Sequence, residues 1–569
     1  MKNGKRLLSL FIAIVMAVCV FPVSAFAAEV IDSGTCGDDA AWTLTADGVL
    51  TISGTGSISS DSSYPAQWRE HAESITKLVI EEGVTGLAHS TLGFRLPALE
   101  EVAISASVTE LGPFPFHGCD KIRSFTLDEN NPVYTLDGEG VLYSKDMTTL
   151  YRAPTTLSGD YVIPDGVISV QAYSVNNCPE LTSVSFPTSF VKPSYLDSVG
   201  FDNFNNCPNL KAFKFSEDNT NYCSDESGVW FNKDMTSLIK APGGLRGTYT
   251  VPESVRVITQ QSFNTCEGLT GVIIPEGVTG IQPVAFSNCT SLREGRLPST
   301  LVNIRSGAFM NCTSLESIDL PEGLTRIYEQ VFYGCTSLKD VRLPESLEYI
   351  MEGAFTNCTS LESVFIPKGV IVIGGEWGTC AFVGCSSLKT FSVSEDNSVY
   401  SADGSGVLYD KSGRNVIEFP GGLTGEYTVS NSASIRGGVS FDGSNISVLR
   451  FTGHAPRYVF GDETLTVFYP ANDPTWIYEQ RLCELNHSGQ NITWIPDESM
   501  ETSFIPGDVD YNGIITNQDL ITVARYAVGL ITEAQLNYPV VSLFGDYNGD
   551  GEINNVDIIM IARSIVGIN

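Results

Sequence analysis

The stretch CTSLESIDLPEGLTRIYEQVFYG (Cys312–Gly334) runs straight into CTSLKDVRLPESLEYIMEGAFTN (Cys335–Asn357), the same pattern in the same order. Leu315, Ile318, Leu320, Leu324, Ile327 and Phe332 of the first become Leu338, Val341, Leu343, Leu347, Ile350 and Phe355 of the second. Pro321 and Pro344 close the first apolar run of each. One copy earlier stand Leu292, Leu297, Pro298, Leu301, Ile304 and Phe309, with Gly295 where a branched residue is expected. Earlier still come Leu269, Val272, Ile274, Pro275, Val278, Ile281 and Phe286. Cys266, Cys289, Cys312, Cys335 and Cys358 recur every 23 residues, and Cys385 follows after 27. A fixed period of this length marks a solenoid. The apolar side chains of one coil cannot offset the entropy of ordering its backbone, so coils must stack and share strand ladders. The L-x-x-V/I-x-L-P run reads as a short strand that proline ends. The G-V/L-T-x-I run is a second extended piece, and A-F-x-x-C turns the corner.

The cysteines follow from this register. Fourteen less Cys19 of the leader leaves thirteen, with no C-x-x-C pair to suggest zinc. The on-period ones occupy one small, apolar, buried slot. Pairing among the off-period Cys36, Cys223, Cys380 and Cys483 stays open.

These residues resemble leucine-rich repeats of the BspA-like type, whose corner here reads Ala308-Phe309-Met310-Asn311-Cys312-Thr313-Ser314-Leu315. The resemblance covers roughly residues 76 to 455 and implies a mainly β, right-handed solenoid that serves as a generic binding surface. Cys119, Cys178 and Cys207 keep the slot at spacings of 59 and 29, so insertions interrupt the array. One insertion type occurs three times: Phe125–Pro164, Phe213–Pro252 and Phe391–Val429. Its alternating apolar residues around tight turns read as β-hairpins, expected to project from one edge. Trp42-Thr43-Leu44-Thr45 and Gly48-Val49-Leu50-Thr51-Ile52 suggest an N-terminal β cap over 28–75. Val467-Phe468-Tyr469-Pro470, Trp476 and Ile492-Thr493-Trp494-Ile495 suggest a closing cap over 456–498.

The chain has 569 residues and a formal net charge of −33, with 42% hydrophobic and 17% charged residues. That acidity argues against nucleic acid, whose phosphates it would repel. Lys2, Lys5 and Arg6, the apolar run Leu7–Phe21 and Ala25-Phe26-Ala27 read as a signal peptide over 1–27. Its removal takes the charge to −36. The run is too short for a permanent membrane anchor, and Val18 argues against lipidation of Cys19.

After a linker at 499–506, Asp508-Val509-Asp510-Tyr511-Asn512-Gly513-Ile514-Ile515-Thr516-Asn517-Gln518-Asp519 fits an EF-hand loop. Oxygen side chains stand at positions 1, 3, 5, 9 and 12, glycine at 6, and Ile514 offers its carbonyl at 7. A second loop, Asp546 to Asp557, repeats the pattern 38 residues later. Two Ca2+ ions are therefore expected. Asp508, Asp510, Asn512, Ile514, Thr516 and Asp519 would hold one, and Asp546, Asn548, Asp550, Glu552, Asn554 and Asp557 the other. Each loop precedes an amphipathic helix pattern: Leu520, Val523, Ala524, Ala527, Val528, and Ile558, Ile561, Ala562, Ile565, Val566. A duplicated loop and helix with Asp at position 12 looks like a type I dockerin, over 507–569. The resemblance implies a small α-helical, calcium-binding domain that plugs into a cohesin of a cellulosome scaffoldin. It also implies cohesin contacts by Asn517, Gln518, Arg525 and Tyr526 in one half, and by Asn555, Val556, Arg563 and Ser564 in the other. Shared arginines make a two-way docking mode conceivable, while Gln518 against Val556 puts it in doubt.

No H-E-x-x-H, G-x-S-x-G or P-loop motif occurs, and His71, His89, His117, His454 and His487 show no metal spacing. A non-enzyme is expected. Exposed strand positions Arg293, Glu294, Arg296, Glu316, Asp319, Lys339, Asp340, Arg342 and Phe365 form a mixed polar face for a protein or carbohydrate. Arg342 and Phe365 are candidate ligand contacts. Trp377 is another, set against packing at the coil edge. The expected role is that of a secreted, cellulosome-associated, non-catalytic subunit, monomeric before docking, whose solenoid serves adhesion or binding during polysaccharide degradation. The alternatives are a polysaccharide-degrading subunit with an unrecognised site, or a secreted inhibitor.

Overall fold

A computed structural model describes residues 28–37, 39–58, 67–87, 96–112, 116–193, 203–375, 380–429, 434–435, 445–453, 455, 464–471, 476, 491–499, 509, 515–528 and 553–565. The expected signal peptide over 1–27 lies outside them. The described residues form a mainly β solenoid of stacked coils. They fall into two compact units, 1–181 with 189–196, and 182–188 with 197–569.

In the first unit the strands Val30–Thr35, Ala40–Thr45 and Val49–Gly54 pair antiparallel. From the third of these the ladder turns parallel, through Lys77–Ile80 and Glu101–Ile104 to Ser124–Leu127. Leu50, Leu78, Val102 and Phe125 share one register position and are all buried. Trp42 meets Trp68 edge-on at 5.7 Å beneath the antiparallel strands.

In the second unit each 23-residue coil gives two strands and a corner, as the spacing predicts. The first strand of the coil is short, as in Ser317–Asp319 and Asp340–Arg342, which pair parallel with Ile318 opposite Val341. The second strands, Val257–Ile258 to Val372–Ile373, run parallel in one nine-stranded sheet that begins with the insertion strand Tyr222–Ser224. At the corner Phe263, Phe286, Phe309, Phe332, Phe355 and Phe382 stack in one column, with centroids 4.7–5.7 Å apart. All six are buried, so the column is a continuous aromatic spine of the core.

The cysteine slot has a polar duty as well as an apolar one. The thiols of Cys289, Cys312, Cys335 and Cys358 each donate to a phenylalanine carbonyl 26 residues back, at 3.1–3.2 Å. Each thus gives a partner to a corner carbonyl of the coil before it. Every described cysteine is a free thiol, including Cys36, Cys223 and Cys380; Cys483 lies outside the described residues. Burial pushes the thiols of Cys266 and Cys335 up to about 12.

The three insertions do not project from an edge. Each is a three-stranded antiparallel run whose last strand enters the second-strand sheet, as Thr149–Arg152 does beside Ser169–Val170. Leu142, Tyr143, Trp230, Phe231, Leu238, Leu408 and Val416 in these runs are fully buried, so the hairpins are coil walls. Two of the runs are clamped alike. Tyr143 and Tyr161 share a hydroxyl–hydroxyl bond of 2.5 Å, and Tyr161 donates to Asp137 at 2.6 Å. Tyr409, Tyr427 and Asp403 repeat this, at 2.5 and 2.7 Å.

An insertion coil lacks the A-F-x-x-C corner and carries Arg152-Ala153-Pro154, Lys240-Ala241-Pro242 or Glu418-Phe419-Pro420 instead. The first residue of each triplet is a buried charge. Arg152 donates to the carbonyls of Cys119 and Tyr173. Lys240 donates to Asn205 Oδ1 at 2.5 Å and to the Gln261 carbonyl at 2.8 Å. Glu418 accepts from the amides of Ala381 and Phe382 at 3.2 and 2.7 Å. In regular coils a corner amide such as that of Phe309 donates to the next coil's corner. Beside the third insertion coil Glu418 takes over that pairing as acceptor for two amides, whereas Arg152 and Lys240, which only donate, give partners to carbonyl groups.

The parallel ladder also runs into the segment read as a closing cap. Asn445–Phe451, Leu465–Pro470 and Ile492–Asp497 pair parallel in sequence. Trp476 is buried and donates to the Gly453 carbonyl at 3.0 Å.

Candidate functional site

Arg293, Glu294, Arg296, Glu316, Asp319, Lys339, Asp340, Arg342 and Phe365 are all exposed along the first-strand face. They stand out because residues on either side of a buried Ile318 or Val341 must point outward from a strand. The register sets Asp319 opposite Arg342, and Ser317 opposite Asp340. Phe365 is 49% exposed. Trp377 lies outside the described residues. One column of this face alternates in sign: Arg293, Glu316, Lys339, Glu362, Lys389. Lys339 pairs with Glu316 at 3.6 Å, and Lys389 with Glu362 at 3.9 Å. Such exposed pairs add little stability; each neutralises itself, and Arg293 is left as the unmatched charge of the column.

The C-terminal module contributes two eleven-residue helices, α1 (Asn517–Ala527) and α2 (Asn555–Ile565). Their apolar stripes meet through Val523 and Ile561, both fully buried. Thr516 caps α1: its hydroxyl accepts from the Gln518 amide, and Asp519 accepts from the Thr516 amide and hydroxyl. Asn554 and Asp557 repeat the box at α2, at 2.7 and 2.9 Å. Asp519 and Asp557, at loop position 12, are both fully buried. Asp519 also accepts from the Val509 amide at 2.8 Å, so the second residue of the loop is folded back onto the last. The described ends of the two loops, Thr516 with Asp519 and Asn554 with Asp557, offer oxygen donors only. The other expected ligands, Asp508, Asp510, Asn512, Ile514, Asp546, Asn548, Asp550 and Glu552, lie outside the described residues. Among the described residues, no three His, Cys, Asp or Glu side chains gather as a metal site.

Asn517, Gln518, Arg525, Asn555, Val556 and Arg563 are exposed, and Tyr526 is half-buried. Ser564 stands in the last turn of α2, its side chain outside the described set. Sequence reasoning missed Ile521 and Ile559, which stand 38 residues apart at the same helix position and are 50% and 57% exposed. Duplication of an apolar residue off the buried stripe was the available signal.

The model of the BspA type leucine-rich repeat region matches residues 70–148, 155–232, 256–389 and 303–436, more than half the chain. The chain belongs to this family. Of solved structures, the BspA-type chain is similar to a leucine-rich repeat protein from Eubacterium ventriosum. Identity is 19%, coverage 64% of this chain and 99% of that one, and the TM-score 0.39. A leucine-rich cell surface protein from Faecalibacterium prausnitzii is 20% identical, covering 61% and 95%, with a TM-score of 0.35. A leucine-rich repeat protein from Bacteroides ovatus is 18% identical, covering 81% and 99%, with a TM-score of 0.32. No curated protein matches the chain. No described helix of this BspA-type protein is long and apolar enough to cross a membrane. A repeat solenoid of this family is suited to adhesion or protein binding.

Proposed function

We propose that this BspA-type protein is a secreted, non-catalytic cellulosome subunit, held on a scaffoldin cohesin by a calcium-loaded dockerin at 507–569. One observation carries the reading: the loop-and-helix pattern occurs twice, with the same buried Asp and the same cap at each helix start. Two Ca2+ ions would be held by the twelve oxygen-bearing positions named above, and would supply the charge that draws each loop closed. Gln518, Arg525, Val556 and Arg563, with Ile521 and Ile559, are exposed along α1 and α2 and suit a partner surface. The solenoid then displays an adhesion or protein-binding surface near the polysaccharide being degraded. The test is capture of the full-length protein on a panel of cohesin modules, with calcium and after EDTA. Capture that needs calcium and is lost in Asp508→Ala with Asp546→Ala supports the reading. Capture unchanged by EDTA, or absent throughout, refutes it.

A further inference from the structure

The charges of the first-strand face form a pattern that the repeat itself does not require. The outer positions of the strand are Arg293 and Arg296 in one coil, Glu316 and Asp319 in the next, and Lys339 and Arg342 in the third. Glu362 and Phe365 follow in the fourth, and all of these side chains are exposed. Sign therefore alternates from coil to coil, and in the first three coils both edges of the strand share a sign. Backbone bonds hold the coils in register: the amides of Glu316, Lys339 and Glu362 donate to the carbonyls of Arg293, Glu316 and Lys339 at 3.1–3.3 Å. Neighbouring rows thus stand about 4.8 Å apart. Lys339 pairs with Glu316 at 3.6 Å, while among the described residues Arg293, Arg296, Asp319 and Arg342 join no ion pair.

Such a face is complementary to itself when two copies run antiparallel. With coils running the same way, a two-fold axis along the stack sets Arg293 against the partner's Arg296, and Glu316 against the partner's Asp319. Those contacts are like against like. With coils antiparallel, an axis lying on the Glu316 coil repeats the fault, since Arg293 then meets the partner's Lys339. An axis midway between the Glu316 and Lys339 coils removes every like-charge contact. Glu316 faces the partner's Lys339, Asp319 the partner's Arg342, and Arg293 the partner's Glu362. Arg296 comes over the exposed ring of the partner's Phe365, a cation–π arrangement. Between them, Asp340 meets the partner's Ser317. This axis is central to the four charged coils, so all of them are matched.

We propose that the first-strand face is an antiparallel, two-fold contact between two copies of this chain, centred between the Glu316 and Lys339 coils. It gives the solenoid's protein-binding surface a partner, so it rests on that part of the proposed function and not on the dockerin. The facing patch is about 20 Å along the stack by about 13 Å along the strand, which puts the contact in the weak, transient class. The chain, expected as a monomer, then enters a weak monomer–dimer equilibrium. The test is sedimentation equilibrium of the full-length protein with calcium and without cohesin, from about 5 to about 300 µM, at about 50 mM and about 300 mM salt. Expected are association that weakens with salt and a loss of at least about tenfold in D319R and in R342D, because the axis applies each change twice. An equimolar mixture of D319R and R342D, and the double variant D319R/R342D, should each return to within about twofold of the parent. Recovery in the mixture also shows that both variants are folded. On the second-strand face, Arg305 and Arg326 lie 4.9 and 4.2 Å from the ring centroids of Tyr328 and Tyr349. R305Q/R326Q is the control there and should stay within about twofold of the parent. A monomer throughout, equal association of D319R, or a mixture no better than its components overturns the proposal. Calcium-dependent capture on cohesin would stand unaffected by any of these results.

Discussion

Replacing Lys240 with Met tests whether the buried charge of an insertion coil is a structural pin. Met keeps the length and most of the volume of the stem, so it opens no large cavity. It removes the ammonium bonds to Asn205 Oδ1 at 2.5 Å and to the Gln261 carbonyl at 2.8 Å. Hydrogen bonds to a charged group contribute about 1.5–3 kcal/mol each, and release from burying an ammonium returns part of that. The expected net loss is about 2–4 kcal/mol. In a solenoid the loss should stay with the neighbouring coils. Hydrogen exchange should therefore accelerate at the Gln261–Cys266 corner and leave the Phe332–Cys335 corner unchanged. Lys240→Glu should cost more, because it sets a carboxylate against two oxygen acceptors. Unchanged protection in both variants would refute the pin, leaving Lys240 as mere filler.

Three further outcomes follow from the same geometry. Gly295→Ala should stabilise by about 0.4–1 kcal/mol in urea unfolding, because it narrows the unfolded ensemble; its new Cβ would meet Ile318 Cδ1 and Val272 Cγ1 at an unstrained 3.8 Å. Maleimide labelling of the native protein at neutral pH should spare Cys266, Cys289, Cys312 and Cys335, which burial keeps as thiols, and reach them only in denaturant. Native labelling at Cys312 would contradict the slot. Burial pushes the Glu418 carboxyl up to about 7, against the pull of its two amide bonds. The folded state then binds this proton more tightly than the unfolded chain does. Its contribution is complete below about 4.5 and is lost as pH rises through about 7. Parent stability relative to Glu418→Gln should fall across that window, by at most about 1.4 kcal/mol per pH unit.

The coil was legible because its columns repeat one residue type: Cys, Leu and Phe each return at a spacing that only stacking rewards. The insertions were legible as strands but not as walls. Alternation in Val141-Leu142-Tyr143 fits a projecting hairpin as well as a packed one, and what separates them is the contact made by Leu150 and Arg152. A charged residue in an apolar register reads as solvent-facing from sequence. Arg152, Lys240 and Glu418 defeat that reading because the missing corner leaves backbone groups that need partners. Parallel pairing of Leu465–Pro470 with Ile492–Asp497 was hidden by the irregular spacing between those strands.

For the surface, the reason is different. In a stack of coils the outward columns cost little to vary, so a residue there is constrained mainly by its neighbours above and below. The first-strand column settles its charges by alternating them, and such a face offers an incoming ion no net field. Arg342 and Phe365 were chosen from that face because its strands are the easiest to recognise. The run Arg305, Tyr328, Arg326, Tyr349 needs two spacings read together, two residues along a strand and 23 between coils, before it emerges as one group. Its arginines rest on rings rather than on carboxylates, although the chain has two acids for every base. Among the described residues Arg293, Arg296 and Arg342 on the first-strand face join no ion pair either, and Glu329, Glu348 and Glu352 stand about the run, so charge alone favours neither face for an outside ion.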